Sequence, residues 1–316
     1  DDVFSIGLTV EGLSDGGTLA ANAASGAAGL LNSQVGTFRQ RLGVNPYGDA
    51  GKVLSAFMRV YTDQGDVNPT HTAGNFGQGG NFAYEQASWG REFGVNANLF
   101  GNFHAGVVMG NADSRQRLAD GVGQNRMEGS TFGAYATWYV PEGLYVDLSA
   151  RWMGAEIRSE SVGANLQSRA RTNAVSLEAG YEWKLGGVNI VPQAQYIRTR
   201  VEDVRTFYGE HLDFTAHGGT FERGRIGVEL NKSFQSGDIR WTPYGSVSAI
   251  RDSGGKTAYS VGDFHGETGV RGSRTMAELG IGVQKGGFGF TLGANWLDGG
   301  SMKSFVGGQA NVRYSW

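Results

Sequence analysis

The chain has 316 residues, of which 53 are glycine, 5 proline, none cysteine and 40% hydrophobic; so little apolar material beside so much glycine argues against two ordinary dry-core domains. A formal charge of -3 excludes the basic surface that nucleic-acid binding needs, and the lack of cysteine excludes disulfide scaffolds and thiolate metal sites. No apolar run reaches the roughly 18 residues of a membrane-crossing helix, which leaves open strands that cross a bilayer with one apolar face.

No signal peptide precedes Asp1, as expected of a processed form or an expressed fragment. Residues 1–16 read as a linker that includes a strand-like piece, VFSIGLTVEG. Residues 17–42, within GTLAANAASGAAGLLNSQVGTFRQRLG, are rich in Ala and Gly and lack period-two alternation. Ala, Leu, Gln and Arg favour helix there, but Gly26, Gly29 and Gly36 each cost about 1 kcal/mol relative to Ala, so the helix needs confinement. A thin helix of about 20 residues spans about 30 Å, the thickness of a bilayer core.

From residue 51 onward the pattern switches to alternation. In GLYVDLSARW, Leu144, Val146, Leu148, Ala150 and Trp152 share one face and Tyr145, Asp147, Ser149 and Arg151 the other; in GGQANVRYSW, the even positions from Val306 to Trp316 oppose Gln309, Asn311, Arg313 and Ser315. Twelve such segments are expected, at 52–64, 80–99, 102–116, 125–140, 143–160, 169–185, 188–202, 220–234, 238–251, 269–285, 287–297 and 304–316. Short turns near Gly101-Asn102, Pro141-Gly143, Leu185-Gly187, Gln235-Gly237 and Lys285-Gly287 alternate with polar loops at 65–79, 117–124, 161–168, 203–219 and 252–268. Even strand number, dyad pattern and loop rhythm predict an all-β membrane protein: a 12-stranded antiparallel transmembrane β-barrel over 51–316, with the N-terminal α-helix in its lumen. Such a barrel has room for one helix, since about eight strands enclose only side chains and about sixteen an aqueous channel.

Strand parity turns Arg59, Asp147, Arg151, Glu178, Glu182, Arg225, Glu229, Glu278 and Arg313 into the lumen. They read as a polar wall that bonds the helix and keeps the channel wet; the plainer alternative is a set of ion pairs within the wall. On the helix, Asn22, Asn32 and Gln34 supply polar groups, and Arg39 and Arg41 are the candidates for meeting lumen carboxylates. Trp138, Tyr139, Trp152, Trp183, Trp241, Trp296 and Trp316 read as interface aromatics. No metal-ligand spacing stands out, no glycine cluster lies between a strand and a helix as a phosphate loop requires, and no cofactor is expected. His104 has lumen parity and His71, His211, His217 and His265 fall in loops, so neither a lipid-facing Ser-His pair nor a metal site is expected; loop residues Asp213, His211, His217, Asp263 and His265 keep a protease-like cluster as a minor alternative.

Several stretches carry a family resemblance: GTFRQRLG leading into AFMRVY, GAYATWYVPEGLYVDLSARW, SLEAGYEWKLGGVNIVPQAQYIRTRVED, WTPYGSVSAIRD, AELGIGVQ and the terminal VRYSW. Over about residues 17–316 the chain resembles the C-terminal translocator domain of type Va autotransporters. The resemblance implies a non-enzymatic barrel in the Gram-negative outer membrane that secretes or displays its own N-terminal passenger, the end of which would lie in 1–16, and whose lumen is then plugged by the 17–42 helix. It implies as partners the passenger, the barrel-assembly machinery, which would recognise Val312, Tyr314 and Trp316, and outer-membrane lipids, with the protein a monomer. Some family members cut their passenger at an asparagine in the helix. The matching position here is Gly29-Leu30, so cleavage is not favoured, although Asn22-Ala23 and Asn32-Ser33 keep the chemistry open. The rival reading is a non-secretory porin or adhesion barrel.

Overall fold

The computed structural model describes residues 8–9, 12–44, 53–72, 81–162, 164–208 and 212–316. Period-two alternation becomes twelve antiparallel strands: β1 Leu54–Val67, β2 Tyr84–Phe100, β3 Phe103–Leu118, β4 Gly123–Tyr139, β5 Leu144–Ser161, β6 Ala164–Tyr181, β7 Val188–Val201, β8 Gly219–Asn231, β9 Ile239–Gly254, β10 Gly272–Lys285, β11 Phe288–Gly299 and β12 Met302–Ser315. Each pairs with the next, and β12 returns to β1 with Val312 opposite Met58 and Tyr314 opposite Ala56. Past the end of β12, Trp316 O accepts from Val53 N (3.1 Å) and Leu54 N (3.2 Å), and Trp316 N donates to Leu54 O (3.0 Å). The closed ladder leaves no edge whose amides would lie unpaired in hydrocarbon.

Outward positions hold large apolar side chains that are exposed, among them Met58, Val60, Phe93, Leu148, Leu177 and Val247. That belt is what a lipid environment stabilises and water does not. Tight turns join strands at one rim. At the other, Thr70–Thr72, Val204–Tyr208, Leu212–Ala216, Lys256–Val261 and Phe264–Gly269 form a separate five-stranded sheet.

Four expectations change. Residues 161–168 are not a loop, because β5 and β6 run on to Ser161 and from Ala164. The stretches 203–219 and 252–268 contain the hairpins of the outer sheet, whose Val204, Phe214, Ala216, Tyr259 and Val261 are buried in one apolar cluster with the helix alanines; burial of that kind turns polar-looking loop sequence into strand. Tyr139 is not a rim aromatic but points inward, with its ring 6.1 Å from that of Phe38. The helix expected over 17–42 is two helices, α1 Asp15–Val35 and α2 Phe38–Leu42, broken at Gly36 where φ is 56°. Most of VFSIGLTVEG, the strand start near Gly51, part of the 65–79 loop and His211 lie outside the described residues.

The α1 glycines separate by environment. A Cβ on Gly29 meets nothing within 4 Å, whereas one on Gly26 would come 2.7 Å from Gln116 Nε2 and 3.0 Å from Met127 Sδ. Gly29→Ala is therefore expected to raise the unfolding free energy by about 0.5–1 kcal/mol through helix propensity. Gly26→Ala is expected to lose that gain to overpacking. Urea titration of the refolded barrel checks both, and an equal rise for the two variants would refute the packing argument.

Candidate functional site

The lumen is filled from the loop rim by α1. Ser14 caps it, its Oγ accepting from Gly17 N at 3.3 Å. Asp15 sits in the first turn, where the helix dipole favours a carboxylate, and also accepts from Val122 N at 2.9 Å, tying the helix start to the β3–β4 loop. Along its length Ala20, Ala24, Ala27 and Leu31 are buried with Met127 on β4, Met153, Ala155 and Ile157 on β5, and Ile197 on β7. The wall on this side is thus apolar, contrary to a lumen that is polar throughout. An Ala- and Leu-rich helix offers few side-chain donors, so a polar wall against it would be buried unsatisfied.

Gly36 ends α1, and Thr37 starts α2 with a reciprocal cap: Thr37 Oγ1 accepts from Gln40 N (3.2 Å) and Gln40 Oε1 from Thr37 N (3.1 Å). Four of the five residues of α2 then meet four carboxylates carried by four strands. Phe38 N donates to Glu178 Oε2 of β6 at 2.9 Å. Arg39 pairs with Glu229 of β8, its Nε 2.9 Å from Oε2. Gln40 Nε2 donates to Glu278 Oε2 of β10 at 2.7 Å. Arg41 Nη2 meets Asp147 Oδ1 of β5 at 2.6 Å, with side-chain exposures of only 2% and 3%. From β12, Asn311 Nδ2 donates to Arg41 O at 2.7 Å, so the closing strand also holds the helix.

The carboxylates are themselves oriented. Thr137 Oγ1 donates to Asp147 (2.6 Å), Tyr145 Oη to Glu178 (3.0 Å), Asn231 Nδ2 to Glu229 (2.9 Å) and Tyr244 Oη to Glu278 (2.8 Å). Arg41 lies over the Tyr135 ring, 4.5 Å from its centroid, and Phe38 stacks on Tyr145 at 4.5 Å. The abundance of glycine has a local reason here: Tyr135, Tyr145 and Tyr244 lie directly across the ladder from Gly106, Gly180 and Gly280, and each ring occupies the space a Cβ would need. One layer further along the lumen, Glu92 accepts from Arg151 (2.5 Å) and Arg59 (3.3 Å), while Arg59 also donates to Gln34 O (3.2 Å) and Gln309 Oε1 (3.2 Å).

All nine parity-selected charges face inward. Arg59, Asp147, Arg151, Glu178, Glu229 and Glu278 belong to the networks above, and Arg225 pairs with Glu178 at 3.0 Å. Glu182 is half-buried and takes Asn189 Nδ2 at 2.6 Å; Arg313 is buried on β12. On α1, Asn22 donates to Phe82 O (3.2 Å) and accepts from Thr268 (3.4 Å), and Asn32 accepts from Thr199 (2.6 Å). Gln34 is fully buried with no side-chain partner among the described residues. On the outward side, Val312, Tyr314 and Trp316 are exposed, with Tyr314 and Trp316 stacked at 5.7 Å. Sequence reasoning missed Gln40 and Glu92, for which the T-x-x-Q cap at Thr37 and strand parity were the available signals; it had Asn311 on the polar face of the last strand without its bond to the helix.

The helix does not fill the lumen. Away from β4–β6 a cavity of about 170 Å³ persists, lined by Gly29, Ser33, Arg59, Arg223, Asp252 and Arg274. At the outer sheet His217 Nε2 is 3.0 Å from Ser260 Oγ and its Nδ1 3.7 Å from Asp203, but His217 and Asp203 are 44% and 51% exposed and Asp203 caps Gly218 N at 2.8 Å. The histidine–carboxylate distance exceeds a hydrogen bond, and a capped surface turn explains the cluster.

The described fold is similar to solved structures. It matches the β domain of the Bordetella autotransporter BrkA at 18% identity, covering 84% of this chain and 100% of that one, with a TM-score of 0.67. The translocator domain of NalP from Neisseria meningitidis matches at 15% identity, 94% and 100% coverage and TM-score 0.68; the transport unit of AIDA-I from Escherichia coli at 15%, 94% and 99%, and 0.65. Those likenesses show the fold, and no curated protein sequence matches. The family profile described as the autotransporter beta-domain matches residues 66–313. The chain therefore belongs to the autotransporter β-domain family, the outer-membrane translocators of Gram-negative bacteria through which an attached N-terminal passenger is secreted.

Proposed function

We propose that the passenger crosses this lumen as a hairpin and that α1 and α2 close the barrel behind it, α2 acting as the latch. The observation that carries this reading is the set of four carboxylates converging on α2 from β5, β6, β8 and β10. Before the helix arrives these groups present a hydrated acidic ring at the periplasmic end; once α2 docks, Arg39 and Arg41 pair with Glu229 and Asp147, Phe38 N and Gln40 donate to Glu178 and Glu278, and water is displaced. The apolar wall facing α1 gives the helix its final seat, since burying its alanines and leucines contributes about 25 cal/mol per Å². Asn22 and Asn32 are structural in this proposal: Asn22 is engaged at both ends of its amide and Asn32 through its carbonyl oxygen, within helical backbone. The chain acts as a translocator without enzymatic chemistry. The β12–β1 seam needs no second copy, which supports a monomer, and the outward aromatics of β12 support recognition by the assembly machinery.

A reporter domain fused ahead of Asp1 tests the order of events. Gln40→Cys with Glu278→Cys places thiols on α2 and β10 within reach of a short bis-maleimide. Cross-linking is expected only in cells whose reporter is open to external proteinase, and to be lost when the reporter is folded before crossing and stalls. Equal cross-linking in exported and stalled populations would disprove closure behind the passenger.

A further inference from the structure

The outward face changes character at one height on one side of the barrel. From the periplasmic end outward, β6 presents Leu177, Val175, Asn173 and Arg171; β7 presents Ala194, Tyr196, Arg198 and Arg200; β9 presents Val247, Ala249 and Arg251. Arg171, Arg198, Arg200 and Arg251 are exposed, and among the described residues none of the four guanidinium groups is in an ion pair, whereas neighbouring Arg169 reaches Glu156 at 3.5 Å. Of the nearby carboxylates, Glu222 accepts from Tyr196 Oη at 2.7 Å and Asp298 from Ser304 N at 2.9 Å, while exposed Glu202 stands across from Arg171 at the rim side of the patch.

Beside Arg251, which lies across from Gly224, and below Arg198 and Arg200, the apolar belt is indented. Ala179, Ala194, Gly224 and Ala249 floor a groove bounded by Tyr196 and Ile226, and a Cβ on Gly224 would meet nothing within 4 Å. Unpaired arginines at the edge of hydrocarbon, above a groove with an apolar floor, complement a molecule with an anionic head and an extended chain. Guanidinium forks match phosphate oxygens. Arg198 lies across the ladder from Glu222, which faces Ser253, so Arg251 stands two strands over and two residues along; that separation of about 12 Å is wide for one phosphate and suits a head that carries two.

We propose that this face binds a diphosphorylated acyl glycolipid of the outer leaflet, with its phosphates on Arg198, Arg200 and Arg251 and one acyl chain over Gly224. The site rests on the orientation of the barrel in the outer membrane and not on passenger export, so either can fail without the other.

Native mass spectrometry of the detergent-refolded barrel tests it, with diphosphoryl lipid A, phosphatidylglycerol and inorganic phosphate as probes. Arg198→Gln combined with Arg200→Gln and Arg251→Gln is expected to weaken lipid A binding about a hundredfold, the size of three charges near a lipid surface. Gly224→Phe, which fills the groove, is expected to weaken it about tenfold with all arginines present. Arg115→Gln with Arg126→Gln, exposed residues of β3 and β4, is expected to leave binding unchanged, and heat-modifiable gel mobility confirms that each variant is folded. Undiminished lipid A binding by either the arginine or the Gly224 variant overturns the proposal. So does equal affinity for phosphatidylglycerol, or full competition by inorganic phosphate, which would reduce the site to a simple anion patch.

Discussion

Deleting residues 15–42 is expected to raise the single-channel conductance of the refolded barrel severalfold in planar bilayers. With the helix in place, α1 and α2 occupy the lumen beside a cavity of about 170 Å³; without them, the polar ring of Asp147, Glu178, Glu229 and Glu278 is expected to line an open, cation-selective channel. A smaller change tests the latch itself. Arg41→Ala would leave Asp147 buried and unpaired, a situation that costs about 3–5 kcal/mol, and Arg39→Ala does the same to Glu229. The double variant is therefore expected to flicker between closed and open levels with α1 still in the chain. Arg41→Lys keeps the charge but not the planar stacking on Tyr135, and should flicker less. A deletion variant with the same small conductance as the intact chain would sink the plug reading and favour a barrel whose 15–42 segment sits elsewhere.

Removing Trp316, or replacing Tyr314 and Trp316 with Ser, is expected to cut the amount of heat-modifiable barrel in the outer membrane severalfold while synthesis is unchanged. Two effects act together. Losing Trp316 removes its hydrogen bonds to Val53 and Leu54, which continue the β12–β1 ladder at the periplasmic rim. Losing both rings removes the stack of Tyr314 on Trp316 at 5.7 Å and on Phe288 at 4.6 Å, a cluster suited to the interface depth where such aromatics anchor. The two are separable: the Ser variant keeps the backbone bonds and loses both rings, whereas removing Trp316 loses the bonds as well. The Ser variant should insert near normally if seam pairing dominates. Normal insertion of both variants would mean that neither effect limits assembly.

The strand count, the closing pair and the inward direction of Glu178, Glu229 and Glu278 were legible in the chain itself, because a strand alternates its side chains locally and one buried or lipid-covered face is enough to register it. The ends of the elements were less legible. Asn165 to Ser168 read as loop because their polarity resembles one, yet on β6 the outward positions Asn165 and Gln167 lie toward the loop rim, where polar outward residues are no obstacle to a strand. Gly36 was read as a cost within one helix; in place it allows the chain to restart as α2.

What no local pattern contained is height. Asp147, Glu178, Glu229 and Glu278 lie on four strands separated by turns of different length, and only the ladder register brings them to one level around Arg39, Gln40 and Arg41. The apolar wall against α1, the outer sheet made from three loops and the arginine face beside Gly224 depend on the same stagger. Sequence by itself determined the barrel, its faces and the presence of a helix, since these follow from periods of two and from propensity. The tertiary structure alone decided what that helix touches, because register between strands is a non-local quantity set by closure of the whole sheet.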